Sequence, residues 1–121
     1  MRYSPEVLEH FSKPKNAGRL DDANAVGRAG EPGQGNYVVL HLRIEGDRIA
    51  RAAFQSFGCP AAIASGSVTT ELISGKTVAE ASRVTGQEVL DALGGLPPGR
   101  THCADLAALA LKDALSRYAE T

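Results

Sequence analysis

Tyr37-Val38-Val39-Leu40-His41-Leu42-Arg43-Ile44-Glu45-Gly46-Asp47-Arg48 is the stretch that decides the fold class. Val38, Leu40, Leu42 and Ile44 alternate with Tyr37, Val39, His41 and Arg43. A period of two describes a strand with one buried face, and it places His41 on the opposite face, toward solvent. Glu45-Gly46-Asp47 reads as a turn, and a second strand from about Arg48 to Phe57 completes an antiparallel hairpin. The pattern then changes. Phe57-Gly58-Cys59-Pro60 leads into a run of small residues that continues to Ile73, with Gly75 as its stop. Pro60 suits the first position of a helix, so Cys59 lies at or near the N-cap.

Every periodic segment after this point is helical. Thr77-Val78-Ala79-Glu80 and Thr85-Gly86-Gln87-Glu88 are capping boxes that open two short helices, ending at Gly94-Gly95. Leu96-Pro97-Pro98-Gly99-Arg100 reads as an extended connector. The last helix runs from about Thr101 to Tyr118, with Leu106, Leu109, Ala110, Ala114 and Leu115 as its apolar stripe. At the other end, Ser4-Pro5 opens a short helix with Val7, Leu8 and Phe11 on one face, and Pro14 closes it. Residues 13–36, rich in Gly, Asn, Asp and Pro, read as a long loop. Its Gly33-x-Gly35 pair precedes a strand rather than a helix, so it is not a dinucleotide fingerprint. Strands in one block and helices in another predict an α+β fold, with a small antiparallel sheet packed against helices.

Composition narrows the function. The 121 residues predict a single domain over 1–121, long enough to bury its own core. Thirteen basic and fourteen acidic residues give a net charge of −1, with no long like-charge run. That argues against a nucleic-acid groove or a polybasic membrane patch. Three Tyr, three Phe and no Trp make a poor base-stacking platform. No apolar run approaches the ~18 residues of a bilayer span, and no signal core follows Met1, so the expected setting is the cytoplasm with reduced thiols.

The two cysteines, Cys59 and Cys103, both fall at predicted helix starts, and His102 adjoins the second. Free N–H groups and the positive dipole end there favour thiolate over thiol. Cys59, His102 and Cys103 form a chemically sound ligand set for zinc or iron, one protein ligand short of four. Buried inert cysteines are the alternative.

Taken together, Tyr3-Ser4, Asn16-Ala17-Gly18, Phe57-Gly58-Cys59, Ala62-Ile63-Ala64-Ser65, Glu71, Gly75-Lys76, Leu96-Pro97-Pro98 and His102-Cys103 resemble the IscU/NifU N-terminal iron–sulfur cluster scaffold family. The similarity runs in register over nearly the whole chain. It implies a SufE/NifU-like (IscU-like) fold of about three strands against helices. It also implies a ligand group of three cysteines with a histidine and an aspartate. Two of the cysteines fall on Cys59 and Cys103 and the histidine on His102. Where the family reads Cys-Gly-Asp, this chain has Gln34-Gly35-Asn36. Neutral amides are poor ligands for iron–sulfur chemistry, which leaves Gln34 and Asn36 as weak candidate ligands at this loop. Glu31 and Asp105 are the nearby carboxylates that could fill the vacancy.

The resemblance implies a carrier rather than an enzyme: a scaffold holding iron, persulfide sulfur or a labile [2Fe–2S] cluster for acceptor proteins. A cysteine desulfurase would supply the sulfur. The family's Leu-Pro-Pro-Val-Lys chaperone segment reads Leu96-Pro97-Pro98-Gly99-Arg100 here, with its prolines and positive charge kept. A homodimer could supply thiolates from two subunits. The missing thiolate also suits a divergent paralogue that binds one zinc ion, or partner proteins only. A thiol enzyme with Cys59 as nucleophile and His102 as base ranks last, because no third group orients the pair.

Overall fold

The computed structural model describes residues 2–31, 33 and 35–119. In chain order the elements are α1 (Pro5–Ser12), β1 (Ala25–Gly30), β2 (Tyr37–Glu45), β3 (Arg48–Phe57), α2 (Pro60–Ile73), α3 (Val78–Ala81), α4 (Gly86–Ala92) and α5 (His102–Ala119). The three strands form one antiparallel sheet in the order β1-β2-β3. Helices α2 and α5 pack against the sheet and each other, α1 packs on α2, and α4 on α5. The α+β architecture expected from the segregated pattern is present. No helix among the described residues is long and apolar enough to cross a membrane.

The segment read as one long loop contains β1, which is a correction. Ala25-Val26-Gly27-Arg28-Ala29-Gly30 carries no hydrophobic alternation, because a helix backbone lies directly on it. A Cβ at Gly27 would land on the backbone of Ala110 and Ala114 in α5. Only small residues permit that approach, and small residues erase the period-two signal. The backbone N–H of Arg28 donates to Asp113 Oδ2 on α5 at 2.9 Å.

Three other expectations also change. His41 is 7% exposed, not solvent-facing, and its Nε2 lies 3.0 Å from Gln55 Oε1. It sits on the central strand, opposite Val26 on one side and Ala53 on the other, so neighbouring strands shield it. Leu109 is 54% exposed. At ~100° per residue it falls on the opposite side of α5 from Ala107, Leu111 and Ala114, which form the buried stripe. In α1 only Val7 is buried, and Leu8 and Phe11 face out. That helix is turned so that His10 also meets α2.

A buried hydroxyl row on α2 ties down the chain between α1 and β1. Ser67 Oγ hydrogen-bonds His10 Nδ1 at 2.7 Å and accepts from the Lys15 N–H at 2.8 Å. Asn16 Nδ2 donates to Thr70 Oγ1 at 3.0 Å. The main chain of Asn16 and Gly18 then pairs with Phe54, covering the outer edge of β3.

Gly27→Ala should lower unfolding stability by about 1–3 kcal/mol, the usual cost of overpacking a site with no room to relax. Leu109→Ala, on the open side of α5, should stay within about 0.5 kcal/mol. Urea unfolding midpoints of the two variants against the parent measure both.

Candidate functional site

Cys59 and Cys103 come from separate elements and meet at one place. Cys59 is the N-cap of α2, with extended backbone (φ −87°, ψ 169°) and Pro60 as the first helical residue. Cys103 lies in the first turn of α5, its N–H donating to the Arg100 carbonyl at 3.1 Å. Their Sγ atoms are 3.9 Å apart. Cys59 is half-buried and Cys103 fully buried. His102 is exposed, with Nε2 3.8 Å from Cys103 Sγ.

Asn36 joins these groups. Its Oδ1 accepts the Cys59 backbone N–H at 3.1 Å. That bond turns the amide nitrogen toward the other side, where Nδ2 donates to Cys103 Sγ at 3.2 Å and to His102 Nε2 at 3.1 Å. Gly58, at φ +130°, makes room, since a Cβ there would strike the Asn36 amide. The amide thus binds the loop after β1 to the starts of both α2 and α5.

Sequence reasoning treated Leu96–Arg100 as an extended connector, and here the structure corrects it. Pro97 to Arg100 is a tight turn closed by the Arg100 N–H and the Pro97 carbonyl at 3.0 Å. Proline at its second position and Gly99 at φ +87° in its third fit a type II turn, which explains glycine where the family has valine. The turn directs Arg100 inward, and its Nε is buried without a hydrogen-bond partner among the described residues. Arg100 belongs to this neighbourhood, which its position in a proline-rich connector did not suggest.

The two thiols differ electrostatically. Burial raises the Cys59 pKa, but the N–H groups of Ala62 and Ala61, the Cys103 thiol and the Arg100 charge outweigh it, leaving the pKa below that of an ordinary thiol. Cys103 is pushed up to about 12, first by burial and then by the neighbouring Cys59 sulfur, against the opposing charge of Arg100. The remaining candidates lie elsewhere. The Asp105 carboxylate rests against Gly86 at the start of α4, and Glu31 is exposed at the end of β1. Gln34 lies outside the described residues.

Two thiolates on one tetrahedral metal with ~2.3 Å metal–sulfur bonds stand about 3.8 Å apart. The observed 3.9 Å matches that edge. Among the described residues, however, no group of three or more His, Cys, Asp or Glu side chains is arranged to hold a metal ion. The site is a two-sulfur clamp with an imidazole at its rim and an amide whose hydrogens face the sulfur. A metal gaining His102 as a third ligand would require Asn36 to swing aside.

Because the thiolate is the attacking form, Cys59 should alkylate faster than a free thiol near neutral pH, and Cys103 slower by roughly tenfold or more. Peptide mass mapping after iodoacetamide pulses across pH measures both rates. Cys59→Ser should lower the Cys103 pKa by removing a competing sulfur charge. Equal rates at the two cysteines would contradict this reading.

The family model of the NifU-like N-terminal domain matches residues 2–121. The iron–sulfur cluster assembly scaffold protein IscU 1 of Archaeoglobus fulgidus is 44% identical over 116 residues, spanning 96% of this chain and 76% of that protein. The IscU scaffold protein of Aquifex aeolicus is 39% identical over 118 residues, spanning 96% and 75%. Among solved structures, a candidate iron–sulfur cluster assembly scaffold for the SUF system from Fervidobacterium islandicum superposes with a TM-score of 0.76. It is 26% identical, with 93% of this chain and 96% of that one covered. The chain belongs to the NifU-like N-terminal domain family.

Proposed function

We propose that this chain is an iron–sulfur cluster assembly scaffold, which holds iron, sulfur or a labile [2Fe–2S] cluster in transit to acceptor proteins. The observation that carries the reading is the pair of thiols from α2 and α5, 3.9 Å apart at a metal-bridging distance. Cys59 and Cys103 serve as ligands or persulfide acceptors, and His102 as an auxiliary ligand at the rim. Iron and sulfur are cargo here, carried rather than transformed, so the chain acts as a carrier and not as an enzyme. The scaffold names of its relatives in Archaeoglobus fulgidus and Aquifex aeolicus support the same reading.

The partners follow from the cargo. A cysteine desulfurase supplies sulfur, and apo-proteins receive the product. One chain offers two thiolates, fewer than a [2Fe–2S] cluster uses, so a second copy facing the first is the direct way to complete the set. The Pro97–Arg100 turn, with Pro98 and Gly99 exposed, is the surface a chaperone would contact.

A second reading has its own observation. Asn36 presents a neutral amide to Cys103, where the resemblance places a carboxylate. With Asn36 swung aside, two sulfurs, one imidazole and one open position would suit a single zinc ion.

Anaerobic reconstitution with ferrous iron and sulfide separates the two. The scaffold reading expects charge-transfer absorption and matched iron and acid-labile sulfide, both lost in Cys59→Ser and Cys103→Ser. Zinc held without colour would favour the second reading. Neither iron with sulfide nor zinc on the protein, with zinc offered in a parallel reconstitution, would overturn both.

A further inference from the structure

We propose that Cys59 and Cys103 act in sequence on one delivered sulfur atom, Cys59 carrying it as a persulfide and Cys103 releasing it as sulfide. The proposal rests on the reading above that this site receives sulfur. Three observations carry it. Cys59 is half-buried and open to a donor, whereas Cys103 is fully buried and closed to one. The two Sγ atoms are 3.9 Å apart, so a disulfide bond of about 2.05 Å needs an approach of about 1.9 Å. The chain has two cysteines in all, so Cys103 is the one thiol in the subunit able to resolve a persulfide on Cys59.

The chemistry balances without an outside oxidant. A persulfide donor, R–S–SH, passes its outer sulfur to Cys59, giving Cys59–S–SH and R–SH. As its proton passes to the outer sulfur, Cys103 Sγ attacks Cys59 Sγ. The bond between the two cysteine sulfurs forms, and the bond from Cys59 Sγ to the outer sulfur breaks with its electron pair on the outer sulfur. That atom is reduced to sulfide and leaves with the Cys103 proton as hydrogen sulfide. The two cysteine sulfurs end as a disulfide, which a dithiol reductant restores to thiols.

The surroundings suit this step. Arg100 places a positive charge at the end of its turn, with Nε buried and unpartnered among the described residues. Such a group stabilises an anionic sulfur as it departs. The Asn36 Nδ2 donor, 3.2 Å from Cys103 Sγ, holds that sulfur in place beside its target.

The test uses reduced, metal-free protein under anaerobic conditions, with glutathione persulfide as the probe and rapid desalting after loading. Released sulfide is trapped with a bimane reagent, and cysteine states are read by peptide mass. The wild type should release about one sulfide per chain while forming the Cys59–Cys103 disulfide. Cys103→Ser and Cys103→Ala should both retain the persulfide on Cys59, with sulfide release slowed roughly tenfold or more. Circular dichroism identifies which variants are folded. If neither Cys103 variant folds, the wild type decides: disulfide with matching sulfide supports the step, and a long-lived persulfide without disulfide overturns it. Cluster formation plays no part in the readout. A wild type that builds a cluster yet keeps a stable persulfide retains the scaffold role and loses this one. A wild type that releases sulfide but builds no cluster does the reverse.

Discussion

Two helices begin side by side, and the rest of the site depends on their doing so. Ala61 and Ala62 at the start of α2 and Cys103 at the start of α5 form a small buried cluster, with Tyr3, Cys59 and Leu96 packed around it. Larger side chains at Ala61 or Ala62 would push the helix starts apart, and with them the two sulfurs. The same economy operates further along α5, where Gly27 lets the helix backbone rest directly on β1. Close packing of this kind holds the two helix starts in place, and leaves the last approach of the sulfurs to side-chain rotation.

Each helix start contributes differently to its cysteine. Cys59 precedes α2 as the N-cap, so the N–H groups of Ala61 and Ala62 in the first turn act on its sulfur and favour negative charge. Cys103 sits inside the first turn of α5 and pays for its burial with an elevated pKa. Two thiols of one type thus become an accessible, thiolate-prone partner and a buried, proton-holding one. Coupling between them reinforces the split, because charge on Cys59 opposes charge on Cys103.

Much of this was legible in the sequence, for identifiable reasons. The alternation in Tyr37–Ile44 and the turn after it made the β2–β3 hairpin readable, because one face of β2 meets the core. Pro60 after Cys59, and the Thr77 and Thr85 caps, marked helix starts through chemistry that operates within a few residues. The strand β1 was not legible, since its small residues record a contact with α5, about 85 positions away in sequence. His41 misled because periodicity describes one face and says nothing of the shielding that flanking strands give a central strand. Leu109 misled because several stripes were compatible with so alanine-rich a helix. At the site, both cysteines and His102 were visible as helix-start residues. The bridging role of Asn36 and the inward turn of Arg100 depend on loops whose course is set by long-range contacts.

The amide at position 36 gives the site its charge balance. A carboxylate there would accept from the Cys59 N–H as Asn36 Oδ1 does, but its second oxygen would face Cys103 Sγ with a lone pair instead of a hydrogen. With the Cys103 thiol already pushed toward its neutral form, a further negative charge about 3 Å away would raise the cost of ionising it. The amide reverses that contact by donating to the sulfur, and it leaves Arg100 as the charged group acting on both thiols. The balance therefore tilts toward accommodating an anionic sulfur species. For a cation the same exchange is unfavourable, because the amide hydrogens point to the place where a third ligand would bind. Asparagine at this position therefore favours an anionic sulfur beside Cys103 over a cation.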